Sequence, residues 1–328
     1  MPARVVVPYT ATNSTVRARA LRWIERTGVE AVVYGPGFAT EPVPAGDPSF
    51  LVRNVRAMSR GRSEASVLRR GAPGVYDLDD GLPWDDGRLP GHQRLGARVF
   101  PRSLIARRAA QAADRIIVGN DLLADWAGQH CRDVRVVPTC VEPNDYQVRT
   151  AWRIDDKPPV IGWIGSPATE RYLLDIAPAL AEVHRRSGAR LVVVSGAGSV
   201  PRALVPFADK FEWSSHSDRQ IAEWDVGIMP LRDGVYERAK CGYKLLQYAA
   251  SGVPAVASPV GVNAGLLAAM DGLAPATHDA WVDALLAIVS EPATRRAMRA
   301  AAGLAVAHDY SYEAWEKAFL DSVGWDRR

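Results

Sequence analysis

A chain of 328 residues is longer than the length over which a single hydrophobic core keeps growing, so two domains of about 150 residues each are expected. Its apolar content of 48% and charged content of 23% are those of globular proteins and exclude a mainly disordered or fibrous chain. The net charge of +3 is uneven: residues 1–150 hold 21 Arg against 16 Asp and Glu, a balance of +5, which leaves −2 for the rest. These charges are scattered, without the dense basic runs or interleaved aromatics of a nucleic-acid site, so no nucleic-acid partner is expected.

The cysteines Cys131, Cys140 and Cys241 lie far apart and are odd in number, which suggests neither a disulfide framework nor a zinc site. The start MPARVVVPYT runs straight into a strand-like segment, and no apolar stretch reaches about 18 residues. These features predict a chain that is neither exported nor membrane-spanning, in a reducing cytoplasm.

Short apolar runs bounded by turn residues alternate with helical patterns, as in parallel strands buried between helices. The first half predicts strands at Arg4–Tyr9, Glu30–Gly35, Gly74–Asp79, Arg115–Asn120 and Val134–Thr139, with helices near Val16–Thr27 and Arg102–Ala113. The segment Thr150–Pro159 reads as a linker, because charge and paired prolines interrupt the pattern. Beyond it, strands are predicted at Val160–Gly165, Leu191–Gly196, Phe211–Ser214, Val226–Pro230 and Ala255–Ser258, with helices near Arg171–Arg186, Asp218–Glu223, Gly242–Ser251 and Trp281–Val289. Residues 292–328 read as helices whose aromatics Tyr310, Tyr312, Trp315, Phe319 and Trp325 either cross back onto the first domain or fill a groove of the second.

Ligands of an open parallel sheet bind beyond the carboxyl ends of its strands, so the loops there hold the candidate chemistry. The strongest segment is YERAKCGYKLLQYAASGVPAVASPVGVN, residues 236–263, which carries Lys240 and Lys244, two of only five lysines in the chain. Their i, i+4 spacing places both on one helical face if helix begins near Lys240. If it begins near Gly242, Lys240 lies in the preceding loop and Lys244 in the first turn, and both can meet a phosphate at the helix N-terminus. Free N–H groups and the positive dipole end favour a diphosphate there, with one or two cations completing its neutralisation. The ordinary alternative is two solvated lysines on a surface helix.

This segment resembles the donor site of the retaining glycosyltransferases of family 4, and within them a subgroup that serves natural-product and cell-envelope assembly in actinobacteria. IGWIGSPATERYL (161–173), FEWSS (211–215), WDVGIMPL (224–231), VYDLDDGLPW (75–84), ADRIIVGNDLLADWA (113–127) and VRVVPTCVE (134–142) extend the likeness in the same order. The resemblance implies an α/β GT-B fold: two Rossmann-like doubly wound domains facing a cleft, an acceptor domain over 1–153, a donor domain over 154–305, and a C-terminal helix, 306–328, returning to the first. It implies that Lys240 and Lys244 meet the donor diphosphate with Cys241, Gly242 and Tyr243 around them. Gln247 stands in place of the acidic residue that commonly holds the donor ribose. The usual Glu-x7-Glu pattern is broken, since Ala239 occupies the first Glu position, and Glu237 is assigned to the donor sugar instead.

In the loop GSPATER, Gly165 permits close backbone approach, Ser166 replaces the Arg usual in relatives, and Arg171 supplies a further phosphate cation; the ordinary reading of this turn is a Ser or Thr N-cap. Asp77–Asp80 (DLDD) admits three readings: a metal-binding DxD pair, a phosphatase signature that Gly81 argues against, and acceptor binding by Asp79 and Asp80, which is favoured. Arg17 and Arg19, in TNSTVRAR after the first strand, are candidates for donor phosphate or acceptor, although an Arg on a solvated helix face is as common. Ser215 and His216 are placed beside the donor by position, and His92 is isolated.

The expectation is an enzyme that moves a sugar from a nucleotide diphosphate sugar, UDP or GDP, to a small acceptor with retention, in secondary-metabolite or antibiotic biosynthesis. Lys244, Lys240 and Arg171 absorb the leaving-group charge. No cofactor and no essential metal are expected, and homodimerisation is left open. The competing readings are a nucleotide-sugar epimerase, a pseudo-glycosyltransferase, and a nucleotide-sugar-binding protein without turnover.

Overall fold

The computed structural model describes residues 3–6, 14–34, 45–53, 59–85, 101–152, 158–214 and 217–325. Contacts divide the chain into two units, one holding Met1–Cys140, Gly234–Cys241 and Tyr312–Arg328, the other Val141–Asp233 and Gly242–Ser311. The polypeptide thus leaves the first unit after Cys140, ahead of the 153/154 boundary expected from the linker-like composition, and residues 150–159 belong to the second.

In the first unit, β1 (Ala3–Val6), β2 (Ala31–Tyr34), β3 (Ser49–Val52), β4 (Gly74–Leu78), β5 (Arg115–Val118) and β6 (Val134–Val136) form a parallel sheet in the order β2-β1-β3-β4-β5-β6. Its helices are α1, a continuous run of Ser14–Val16, Arg17–Leu21 and Arg22–Thr27, then α2 (Arg62–Arg70), α3 (Arg102–Ala110) and α4 (Asp121–Ala127). Both faces of the sheet are covered. Phe50, Val52, Val75 and Ile117 turn to one core with Trp23, while Leu51, Tyr76, Leu78, Ile116 and Val118 turn to the other with Leu68 and Ala106. Alternation between two buried faces is why these strands read as near-continuous apolar runs. Strand β3 was not expected: its four residues SFLV are too short a run to stand out, yet they pair with both β1 and β4.

In the second unit, β7 (Val160–Ile164), β8 (Arg190–Ser195), β9 (Ala208–Glu212), β10 (Val226–Met229) and β11 (Ala255–Ala257) run parallel in the order β11-β10-β7-β8-β9. Ile161 and Trp163 of β7 face one core, and Ile164 the other. A Cβ on Gly162 would lie within 2.0 Å of the Trp224 ring, so only glycine admits that indole against the strand. The expected helix Arg171–Arg186 is two, α5 (Arg171–Asp175) and α6 (Ala177–Ser187), broken at Ile176 because Pro178 has no N–H to continue the ladder. Next come α7 (Val235–Arg238), in the segment of the first unit, α8 (Tyr243–Ala250), α9 (Asn263–Ala269), α10 (His278–Ser290) and α11 (Ala293–Asp309). The strand expected at Phe211–Ser214 is β9, which begins at Ala208, and the expected helix Trp281–Val289 is α10, whose N-cap Thr277 accepts from the Ala280 amide at 3.3 Å.

The last helix, α12 (Tyr312–Val323), packs in the first unit. Phe319 stacks on Trp23 with ring centroids 4.2 Å apart, Tyr312 Oη donates to the Ala18 carbonyl at 3.0 Å, and Trp325 meets Phe50 edge-on at 5.6 Å. Tyr310, two residues before α12, packs instead on the core of the second unit. Of the two placements open for the C-terminal aromatics, those of α12 therefore take the first. Both sheets have the doubly wound order of a Rossmann-like fold. Among the described residues, no helix is long and apolar enough to cross a membrane.

Truncating a stacked, fully buried ring removes its transfer free energy and leaves a cavity, so Phe319→Ala is expected to lower unfolding stability by about 3–5 kcal/mol, with Phe319→Leu losing less than half of that. Denaturant unfolding followed by circular dichroism checks it.

Candidate functional site

The order β11-β10-β7-β8-β9 reverses direction between β7 and β10, and an open sheet forms its ligand crevice at such a point, beyond the carboxyl ends of the strands. Gly165 directly follows β7. The chain then turns through Pro167–Thr169, where Thr169 Oγ1 donates to the Ser166 carbonyl at 2.9 Å, before entering α5. Ser166 is exposed and makes no side-chain cap, and Arg171 lays its guanidinium over the Tyr172 ring at 4.8 Å, with Nη2 donating to Tyr172 Oη at 2.9 Å.

Helix α8 begins at Tyr243, after Gly242 takes φ +67, so of the two helix starts the later one holds and Lys244 sits in the first turn. Lys244 reaches back to β7: its Nζ lies 5.5 Å from the Trp163 ring centroid, and a Cβ on Gly165 would stand 2.9 Å from its Cε. Glycine at 165 is thus what lets the lysine lie along the strand end. One turn on, buried Gln247 donates from Nε2 to Asp218 Oδ1 at 3.1 Å and is hydrogen-bonded to the phenol of Tyr146, which also bonds Tyr243. Burial, then Tyr243 and Asp218, hold that phenol well above the ordinary tyrosine range. Lys244, Gln247, Tyr243, Gly165 and Arg171 all belong to the second unit.

Lys240 does not accompany them. It belongs to the first unit, where its Nζ contacts Asp80 Oδ1 at 3.1 Å and lies 4.8 Å over the Tyr236 ring. The short stretch Gly234–Cys241 is tied to that unit by Asn120, whose Nδ2 donates to the Ala239 carbonyl at 2.9 Å, and by Cys241, whose thiol donates to the Asp79 carbonyl at 3.2 Å. Cys241, expected at the donor, is instead a packed thiol pushed up to about 12 by burial first and by Asp79 next. Glu237 is buried in the same stretch, its carboxylate against Gly234.

The acidic run after β4 is neutralised from two sides. Arg53, just past β3 at φ +58, donates to Asp79 at 2.7 Å and to Asp80 at 2.6 Å, and Lys240 adds the second cation. Burial alone would raise the Asp80 carboxyl, but Lys240 and Arg53 outweigh it and hold the group well below the usual carboxylate range. Beneath it, Asp77 is fully buried, pushed up to about 6 by desolvation against the opposing pull of Arg19. Arg19 donates to Asp77 from Nε at 3.0 Å and to the Val137 carbonyl at 2.8 Å. This corrects the expectation that Arg19 reaches for donor or acceptor: a carboxylate inside the sheet needs that cation, and Arg19 has no exposed head left to offer. Arg17 is exposed on α1, while Ser215, His216 and His92 lie outside the described residues.

Three residues escaped the sequence reading. Arg53 would have been found had SFLV been read as a strand, since the residue after a strand is a candidate by position. Asn120 carries a visible signal, an Asn before the helix DLLADWA, and its Oδ1 accepts from the Leu123 amide at 3.0 Å as an N-cap. Asp218 lies 29 residues before Gln247 and has no local signal.

The fold defines a class. The chain superimposes on Anabaena Alr3699/HepE in complex with UDP-glucose with a TM-score of 0.69 at 12% identity, covering 99% of this chain and 100% of that one. It also matches trehalose-6-phosphate from E. coli bound with UDP-2-fluoro glucose (TM-score 0.67, 11% identity, 98% of each chain). WaaG, a glycosyltransferase involved in lipopolysaccharide biosynthesis, gives a TM-score of 0.64 at 13% identity over 98% of this chain and 99% of that one. At such identities the likeness establishes the two-domain GT-B fold. Residues 158–291 match the family model described as glycosyl transferases group 1, which marks this part of the chain as a glycosyltransferase domain. No curated protein matches the chain.

Asp80→Asn leaves Arg53 and Lys240 short of a carboxylate and is expected to lower stability at pH 7 by about 2 kcal/mol, less than the roughly 3–5 kcal/mol of a fully buried pair. The sign with pH follows from the depressed carboxyl. Its contribution is complete above the ordinary value of about 3.9 and is lost as pH falls below it. The melting-temperature gap between parent and variant should therefore be constant from pH 7 to 5 and close from pH 4 downward; Asp77, raised in both proteins, cancels from the difference.

Proposed function

We propose that this enzyme is a retaining glycosyltransferase that moves a sugar from a nucleotide diphosphate sugar, UDP- in preference to GDP-, onto a small acceptor in secondary-metabolite biosynthesis, acting in the cytoplasm. The observation that carries the reading is Lys244, held in the first turn of α8 beside Gly165 at the point where the strand order of a group 1 domain reverses. The uridine preference is supported by the complexes of its structural neighbours with UDP and UDP-glucose.

In this mechanism the acceptor hydroxyl attacks the anomeric carbon from the face the nucleotide leaves. The anomeric C–O bond breaks with its electron pair going to the diphosphate, whose released oxygen takes the acceptor's proton. Lys244, the amides opening α8 and, after rearrangement from Tyr172, Arg171 meet the charge that develops there, which is worth most in a site preorganised before the reaction. Lys240, expected in this role, is assigned to Asp80 instead, and with side-chain cations on the leaving group no metal ion or cofactor enters the scheme. Asp79 and Asp80, bridged by Arg53, are assigned to fixing the carboxyl edge of the first sheet.

Lys244→Ala should lower kcat with the nucleotide sugar at least tenfold, measured by release of the nucleoside diphosphate; an unchanged rate removes the mechanism. In a thermal-shift panel of UDP, GDP, ADP and dTDP, one nucleotide is expected to raise the melting temperature, since ligand at a hundredfold excess over Kd adds about 2.7 kcal/mol. UDP is the expected winner, and no shift with any of the four would remove the donor site.

A further inference from the structure

Asn120, between β5 and α4, commits the two ends of its buried amide to different tasks. Its Oδ1 accepts from the Leu123 amide at 3.0 Å and caps α4, while its Nδ2 donates to the Ala239 carbonyl at 2.9 Å. A cap needs the acceptor alone, and Ser or Asp would serve α4 as well. The donor end is therefore surplus to the helix, and an amide is the side chain that supplies both ends. Gly119 beside it plays a matching part: a Cβ there would collide with Cys241 Sγ, so glycine is what lets the thiol seat next to Asn120.

Ala239 lies five positions before Lys244, and the chain between them is held at successive residues. Lys240 contacts Asp80 at 3.1 Å, and the Cys241 thiol donates to the Asp79 carbonyl at 3.2 Å. Gly242 then takes φ +67, where a Cβ would stand 2.5 Å from Leu266 Cδ1, and α8 begins at the next residue. Each residue has only two soft backbone dihedrals, so a fixed carbonyl at 239, a seated thiol at 241 and a left-handed glycine at 242 leave little slack for the first turn of α8. That turn carries Lys244, and a cation that must meet developing charge is sensitive to placement: an error of about 1 Å can cost about a hundredfold in rate.

We infer that Asn120 is a positioning residue for sugar transfer, acting through Lys244 by fixing the backbone that enters α8 at the Ala239 carbonyl. The inference rests on the reading of Lys244 as the leaving-group cation given above. Asn120 touches neither substrate nor reacting atoms in this scheme; Gly119 supports it by giving Cys241 its seat.

The test is a double-mutant cycle on the full chain, read by release of nucleoside diphosphate from UDP-glucose or GDP-mannose, whichever the parent turns over. Asn120→Ser keeps an acceptor for Leu123 and loses the donor, so α4 stays capped and the melting temperature should fall by no more than about 4 °C. Its kcat is expected to drop about tenfold, with KM for the nucleotide sugar within about threefold of the parent. In the Lys244→Ala background the same substitution should change kcat by less than about twofold, because misplacing a cation that is already gone has no further cost. Gly119→Ala, which displaces Cys241 and leaves the cap alone, should repeat both results. If the two substitutions leave kcat at the parent value, or lower it by the same factor with and without Lys244, the inference is overturned while the donor reading stands. If the parent turns over neither nucleotide sugar, or Lys244→Ala matches the parent, the donor reading fails and takes the inference with it.

Discussion

A parallel sheet covered by helices on both faces has no room for charge except at the ends of its strands, and this constraint organises both units. Strand after strand here is apolar on both sides, from Phe50 and Leu51 in the first sheet to Trp163 and Ile164 in the second. Among the described residues, Asp77 is a charge buried inside the first sheet, tolerated because Arg19 pairs with it. The candidate groups among the described residues lie at the carboxyl edges: Asp79, Asp80, Arg53 and Asn120 in one unit, Gly165, Asp218 and Lys244 in the other.

The two edges solve different problems. In the first unit, opposite charges are paired with one another: Arg53 bridges two aspartates, and Lys240 closes the set from a stretch of chain that arrives late in the sequence. Such a set is rigid and self-neutralised. In the second unit the groups are arranged as a strip along one helix, with Lys244 lying against an aromatic ring and Gln247 directing a carboxylate. These groups lie within the region that matches the group 1 glycosyltransferase model.

The division of residues 234–250 between units shows how adjacent residues acquire separate duties. Gly242 at φ +67 both ends the stretch held by Asn120 and starts α8. Lys240 and Lys244 are four positions apart, a spacing that on one helix would make them partners; the chain between them passes from one unit to the other at Gly242. A likeness of this segment to a family does not by itself separate the two lysines; the backbone at Gly242 does.

By itself the sequence determined the α/β class, ten of whose strands stand out as apolar runs between turns, and it marked Lys244 as a candidate, since its place after Gly242 and before an apolar helical stretch is a local pattern. It was also enough to mark the aromatics of α12 as a packing surface, though not to choose the unit they pack on, because both units offered an apolar face. Tertiary structure alone decided that Arg19 is buried under Asp77, that Arg53 and Lys240 share the aspartates, and that Asp218 meets Gln247. Each of these is a pairing of charge or hydrogen-bonding groups from distant parts of the chain, and such pairings leave no periodicity in sequence: they exist only once strand order has brought the ends of separate strands together.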